Sequence, residues 1–179
     1  MVSEYTFTSL RLGFRTWRET DLPAFTALNT DPQVMRYFPA PLNPEASRAL
    51  LKQLQAHYEV YGYTYFATEL LDCKRFIGFI GLKFQDYEAP FTPAVDIGWR
   101  LRRESWGKGY ATEGARRCLE YGFETLGLSS VVATCPTGNI PSERVMQRIG
   151  MQKQGEFEHP GLREHPQLNP CLWYEVKKT

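Results

Sequence analysis

The spacing of apolar residues sorts the chain into helical and extended stretches. Leu10, Leu12 and Phe14 alternate with Arg11, Gly13 and Arg15, the period of a strand with one buried face. Arg18-Glu19-Thr20-Asp21-Leu22-Pro23 then carries a helix-start signature, with Thr20 or Asp21 as cap and Pro23 in the first turn. Asp31-Pro32-Gln33-Val34-Met35 repeats that grammar and predicts a second short helix, broken by Pro39-Ala40-Pro41-Leu42. Asn43-Pro44-Glu45 opens a long helix on which Leu50, Leu51, Leu54, Tyr58 and Tyr61 share one face, and Gly62 ends it.

From Tyr63 the texture is extended. Residues 63–70 and 75–85 read as strands around Leu71-Asp72-Cys73-Lys74, and Ala94–Leu101 as a third; short connections predict antiparallel pairing. Residues 107–126 form a second long helical segment with an apolar stripe of Ala111, Ala115, Cys118, Leu119, Gly122 and Leu126, stopped by Gly127. A strand at 129–135 completes a strand–glycine loop–helix–strand crossover. Asn139 caps a shorter helix carrying Val145, Met146 and Ile149, and strands near 152–158 and 172–177 flank a His/Pro-rich loop. No repeat or linker divides residues 1–179, so a single domain is expected.

With 42% hydrophobic and 23% charged residues the chain reads as an ordinary globular protein. The net charge of +1 supplies no field to recruit nucleic acid or an anionic membrane. Cys73, Cys118, Cys135 and Cys171 are scattered without a CxxC pair, which fits a reducing compartment better than zinc or disulfides. Residues 1–11 lack the apolar run of a signal peptide and no stretch is long and apolar enough to span a membrane, so a cytoplasmic location is expected.

The informative chemistry lies in Val95-Asp96-Ile97-Gly98-Trp99-Arg100-Leu101 and the following Trp106-Gly107-Lys108-Gly109-Tyr110-Ala111-Thr112-Glu113. A strand feeds a glycine turn that opens a helix, and unpaired N–H groups with the positive end of the helix dipole suit a phosphate there. Lys108 with Arg100, Arg102 and Arg103 offers further positive charge. A plain strand–helix turn would use glycines too. No GxxxxGK[ST] and no GxGxxG with a downstream acid is present, which excludes the common ATP and dinucleotide loops.

Together with Leu10-Arg11-Leu12, Arg18-Glu19-Thr20-Asp21, Gly78-Phe79-Ile80-Gly81, Asn139-Ile140-Pro141-Ser142 and Ile149-Gly150-Met151, this arrangement resembles the GNAT superfamily of N-acetyltransferases. The branch it is most similar to is the RimJ/RimL type, which acetylates ribosomal-protein alanine termini. The family loop pattern [Q/R]xxGx[G/A] falls on Trp106 to Ala111, with Trp106 replacing the polar first residue. The resemblance implies an α+β fold: a mostly antiparallel sheet of about seven strands, flanked by helices and splayed open after the strand of Trp99. Acetyl-CoA would be the cosubstrate, with no metal. Its pantetheine arm would lie along Ile97, Trp99 and Leu101, and its pyrophosphate on Trp106, Gly107, Lys108, Gly109, Tyr110, Ala111 and Thr112. Asn139 would bond the pantetheine and Ser142 would sit near the sulfur.

Amine acetylation needs a base, an oxyanion donor and exclusion of water. Asp96 is the first candidate base, with Glu69, Glu158 and His159 behind it; a structural carboxylate at Asp96 is the competing reading. Ser142 is the candidate partner of the departing thiolate, although helix capping explains it as well, and Met146 stands where many relatives carry a tyrosine acid. The His159-Pro160 and His165-Pro166 pair matches no familiar ligand spacing. Tyr37-Phe38-Pro39 with Tyr58, Tyr61, Tyr63 and Tyr65 would line an acceptor pocket or fill the core. The partner expected is therefore a primary amine, either a protein or peptide N-terminus or a small molecule. A homodimer stays open, as does an acyl-CoA sensor without turnover; nucleic-acid binding through Arg100, Arg102, Arg103, Arg116 and Arg117 is disfavoured by the balanced charge.

Overall fold

A computed structural model describes residues 4–178. Expectations about the first three residues and the last fall outside that range. Eight strands form one sheet: β1 Phe7–Thr8, β2 Leu12–Arg15, β3 Tyr65–Leu70, β4 Phe76–Gln85, β5 Ala94–Leu101, β6 Ser130–Pro136, β7 Gln152–Phe157 and β8 Cys171–Lys177. Their order is β1-β2-β3-β4-β5-β6-β8-β7, and among these pairs β5–β6 alone runs parallel. The helices are α1 Leu22–Thr30, α2 Pro44–Tyr61, α3 Tyr110–Glu120 and α4 Ile140–Arg148.

The local signals explain most boundaries. Asn43 accepts a hydrogen bond from Ala46 N at 2.8 Å, Pro44 occupies the first turn, and Gly62 closes α2 in the left-handed conformation. Tyr110 begins α3 directly after Gly109, and its C-terminal end widens into a π-helical turn, Tyr121–Thr125.

Three expectations fail for identifiable reasons. Residues 32–37 form consecutive turns instead of a helix, because the Asp31 carboxylate takes the Gln33 N–H at 2.9 Å and closes a tight side-chain turn. Leu10 is 89% exposed, so the inward alternation starts only at Leu12. Arg15, expected on a solvent face, is buried: it forks onto Asp21 at 2.7 and 2.8 Å and donates to Glu69. Burial alone would lower the Arg15 pKa, but the bonds to Asp21 and Glu69 outweigh it and push it up. The eighth strand, Phe7–Thr8, is too short to leave a periodic signal.

Two apolar layers sandwich the sheet. On one face Leu12, Phe14, Phe66, Ile80, Leu82 and Ile97 pack with Ala115, Cys118 and Leu119 of α3 and with Val145 and Met146 of α4. On the other, Trp17, Phe25, Leu51, Leu54 and Phe79 pack beneath α1 and α2. Fully buried Phe14, Phe25 and Phe66 each contribute roughly 2–3 kcal/mol by removal from water, which fixes the sheet as a rigid platform. β5 runs through the middle of this platform with one side chain set on each layer.

Candidate active site

β5 pairs with β4 along its whole length, from Ala94 opposite Gln85 to Leu101 opposite Gly78. Its parallel pairing with β6 registers only at Asp96 opposite Val132. The strands therefore part after Asp96, and the β6-facing edge of Ile97, Trp99 and Leu101 lies without a neighbouring strand. The Leu101 carbonyl accepts from Trp106 Nε1 at 2.8 Å, which ties the next loop to this edge.

That loop turns through Gly107 and Gly109, whose φ angles of 73° and 80° lie in the left-handed region where a Cβ is costly. Gly109 is the N-cap of α3 and offers no side chain to cap it. Among the described residues the N–H groups of Gly107, Lys108, Gly109, Tyr110, Ala111 and Thr112 have no backbone or side-chain acceptor. Six adjacent open donors at a helix start form an anion cradle.

The basic residues around the cradle are not those adjacent in sequence. Arg103 is tied to Asp31 at 2.7 Å, Arg102 faces Glu104, and Arg100 turns to the opposite layer toward Asn29. Only Lys108 of that run stays beside the loop. Arg11, Arg116, Arg117 and Arg148 instead line an open cavity of about 650 Å³ with Gly109 and Thr112. Arg11 also donates to the Lys108 carbonyl at 3.1 Å. Glu113, an acid in the first turn of α3, is held away from the cradle by Ser9 Oγ at 2.7 Å and Arg11 N at 2.8 Å. Burial would raise its pKa, but those bonds and the Arg11 guanidinium hold it below the ordinary value, so it stays ionised and neutralised.

Asp96 lies on the α1/α2 layer and is buried. Tyr65 Oη donates to both carboxylate oxygens, at 2.6 and 2.8 Å, and Gln85 Nε2 donates to Oδ2 at 3.1 Å. Burial pushes the Asp96 pKa up to about 6 against the pull of these donors. Sequence reasoning found Asp96 but missed Tyr65 and Gln85 as its supports. The signal was cross-strand spacing, since Lys83 stands opposite Asp96, Gln85 stands opposite Ala94, and Tyr65 lies one strand further. The ring of Tyr65 crosses β5 at Gly98: a Cβ there would stand 2.9 Å from Tyr65 Cζ.

The other candidate bases fare worse. Glu69 is locked in the Arg15 cluster and takes a bond from Tyr5 Oη, on the far side of β3 from Asp96. Glu158 is exposed on the loop after β7. His159 accepts the Gly161 N–H at Nδ1, 3.1 Å, which places its own proton on Nε2 and leaves no lone pair for a base; burial lowers its pKa further. Its ring packs on Tyr87 at 4.6 Å. No three His, Cys, Asp or Glu side chains among the described residues gather as a metal site.

On α4, Asn139 caps the helix by accepting the Ser142 N–H at 3.4 Å, and the Ser142 hydroxyl has no partner among the described residues. Met146 is buried in the layer that holds Ile97 and Trp99. Of the expected tyrosine lining, Tyr58 packs on Phe66, Tyr61 stacks on His57, and Tyr63 is buried; only Tyr65 reaches Asp96.

A strand edge opened beside a helix-start cradle is matched by a known domain. Residues 11–152 fit the family model described as "Acetyltransferase (GNAT) domain". The chain belongs to the GNAT acetyltransferase family. A Bacillus subtilis (strain 168) protein named "Uncharacterized N-acetyltransferase YnaD" is 34% identical over 84% of this chain and 85% of its own. The crystal structure of a GNAT-family acetyltransferase from Bacillus anthracis superposes with a TM-score of 0.78, at 27% identity, over 95% of this chain and 96% of that one. Spermidine N-acetyltransferase from Vibrio cholerae, in complex with CoA and spermine, shares the fold at a TM-score of 0.72 and 20% identity, over 93% and 95% of the two chains. The acetyltransferase is thus an acyltransferase with an open, mostly antiparallel sheet of eight strands. No helix among the described residues is long and apolar enough to cross a membrane.

Proposed function

We propose that this acetyltransferase moves an acetyl group from acetyl-CoA to a primary amine by direct attack in a ternary complex. The observation that carries this reading is the run of six unpaired amides, Gly107 to Thr112, beside a strand edge that β6 abandons after Asp96. The residues fit the cosubstrate in kind: open N–H donors for a pyrophosphate, a free strand edge for the amide-bearing pantetheine arm, and Arg11, Arg116 and Arg148 for the remaining phosphate. Trp106, at the family's first loop position, donates its indole N–H to the Leu101 carbonyl and so ties the loop to the end of β5. Acetyl-CoA brings an acetyl group already activated as a thioester.

The chain's own part is to orient, deprotonate and exclude water. Asp96, a carboxylate with a pKa near 6, takes up the proton that the attacking nitrogen sheds as the N–C bond forms and the C–S bond breaks. A main-chain N–H on the Ile97–Trp99 strand is the donor this reading assigns to the carbonyl oxygen as its charge builds. Ser142, with its hydroxyl free of other partners, stands to hydrogen-bond the thiolate, and Asn139 to hold the pantetheine. The ordered motifs resemble those of the RimJ/RimL type, which supports a protein N-terminus or a small amine as acceptor.

Calorimetric titration with acetyl-CoA, CoA and ATP tests the cosubstrate. Binding of both CoA species without ATP is expected; failure of all three to bind removes the cradle's phosphate role and the transferase reading with it. Replacing Gly98 by Ala tests the acceptor side separately. The added Cβ must displace the Tyr65 ring and loosen Asp96, so kcat should fall on the order of tenfold to a hundredfold. Acetyl-CoA affinity should hold, because Gly98 faces the layer away from α3. Equal kcat in the Gly98→Ala protein would separate Tyr65 from turnover.

A further inference from the structure

Lys83 is a half-buried cation set directly across the strand pair from the proposed base, yet the two form no ion pair. In the β4–β5 ladder Lys83 stands opposite Asp96 and Gln85 opposite Ala94, so Lys83, Gln85 and Asp96 share one face of the sheet. Lys83 Nζ donates to Gln85 Oε1 at 3.4 Å. The other end of that amide, Gln85 Nε2, donates to Asp96 Oδ2 at 3.1 Å. One side-chain amide therefore separates the ammonium from the carboxylate.

The two ends of the amide differ in character, and the end that faces Asp96 decides what the carboxyl is. With the N–H end toward it, the carboxylate is met as an anion. With the carbonyl end toward it, Asp96 would satisfy that oxygen only by holding a proton and donating it, and a protonated Asp96 is no base. Turning the amide would also aim its NH2 group at the Lys83 ammonium, donor against donor. The ammonium thus selects the orientation that an anionic carboxylate needs. The same arrangement sorts the carboxylate oxygens. Oδ2 accepts from Tyr65 Oη at 2.8 Å and from Gln85, whereas Oδ1 accepts from Tyr65 alone, at 2.6 Å. Oδ1 keeps a lone pair open.

Burial raises the Asp96 pKa to about 6, and the bonds from Tyr65 and Gln85 oppose it, followed by the Lys83 charge. Lys83 is the one cation in that balance. Tyr63, Tyr65 and Tyr87 also lie around the carboxylate, but burial raises their pKa values and they stay neutral. His57 of α2 accepts the Phe84 N–H at Nε2, 3.1 Å, and burial, with the Lys83 charge behind it, lowers its pKa. Arg100, further along the same face of β5, is turned to Asn29, and Val132 across the parallel pairing carries no charge.

We propose that Lys83 is a positioning residue for the base: its ammonium holds the Gln85 amide with the N–H end toward Asp96, which keeps the carboxylate ionised and leaves Oδ1 to take the amine's proton. The inference rests on the acetyl-transfer reading above for the role of Asp96.

Carbon NMR of protein labelled at the aspartate carboxyl carbons follows this titration without any acceptor, and Asp96→Asn identifies the resonance by its loss. The wild-type midpoint is expected at about 6. Lys83→Met should raise it by on the order of half a unit or more, and Lys83→Arg should leave it near the wild-type position. In a Gln85→Leu background the same Lys83→Met change should move the midpoint less than half as far, because the amide that carries the effect is gone. A midpoint that Lys83→Met leaves in place overturns the proposal. So does a shift of full size in the Gln85→Leu protein, since the lysine would then act by its field alone. A lysine kept for packing would change Tm without moving the midpoint. Failure of acetyl-CoA to bind would strike the transferase reading instead and leave the titration to decide what Lys83 does to Asp96.

Discussion

Gly109→Val should weaken acetyl-CoA binding by at least a hundredfold while the protein stays folded. Gly109 holds φ at 80°, and a β-branched residue in that region is strained on the order of 1–3 kcal/mol. Space is not the obstacle to the substitution: a Cβ at Gly109 meets only Arg11 Nη2, at an ordinary 3.6 Å. The chain would relieve the strain by rotating the peptides on either side, and those peptides carry the N–H groups aimed into the cradle. Because Gly109 is also the N-cap of α3, rotation there turns the first-turn donors of Tyr110, Ala111 and Thr112 out of line together. A tenfold loss in affinity corresponds to about 1.4 kcal/mol, so two misaligned charge-assisted bonds suffice for a hundredfold. Calorimetry with acetyl-CoA, with circular dichroism as the check on folding, reads the result. Unchanged affinity in a folded Gly109→Val protein would mean the loop glycines serve the strand–helix turn alone.

The cradle was legible in the sequence because its parts are contiguous: strand, glycines and helix start follow one another from Ala94 to Glu120, and the strand was placed to the residue. The long helix from Pro44 was equally plain from Asn43, Pro44 and Gly62. What stayed hidden depends on pairing across strands. Asp96 is shaped by Tyr65, two strands away, and by Gln85 on the adjacent strand, and no local pattern joins those three positions. The arginines show the same limit from the other side. Arg100, Arg102 and Arg103 are neighbours in sequence, yet strand alternation and a following turn send them to Asn29, Glu104 and Asp31. Charge near the cradle comes from Arg11, 98 residues before Gly109, and from Arg148 at the end of α4. Local sequence therefore marked out the proposed phosphate end of the site, and tertiary pairing alone builds the proposed acceptor end.

Asp96→Asn should lower kcat by a factor on the order of 10²–10⁴ and yet make the protein more stable at pH 7.5. Both effects follow from one cause, burial of a carboxylate whose pKa rises from an ordinary 3.8 to about 6. Between those values the folded state holds a proton that the unfolded chain has released, so stability falls as pH rises through that window and then stays lower. A shift of this size corresponds to about 3 kcal/mol at neutral pH. Asparagine has no charge to bury. It still accepts from Tyr65, and Gln85 meets its amide by turning its own, so a net gain of roughly 1–3 kcal/mol is expected. That gain corresponds to several degrees in Tm at pH 7.5 and should vanish near pH 4, where the wild-type carboxyl is protonated in both states. The rate follows the opposite logic. Wild-type kcat should decline as pH drops through about 6, when Asp96 can no longer take the amine's proton, and the Asn variant should lack that limb. Acetyl-CoA affinity should be the same in both. A residue kept for packing would lose stability on replacement and leave the pH profile in place; if Asp96→Asn does that, the base lies elsewhere. If stability rises while turnover collapses, the enzyme holds a destabilising charge at the point where its strands part because the reaction requires it there.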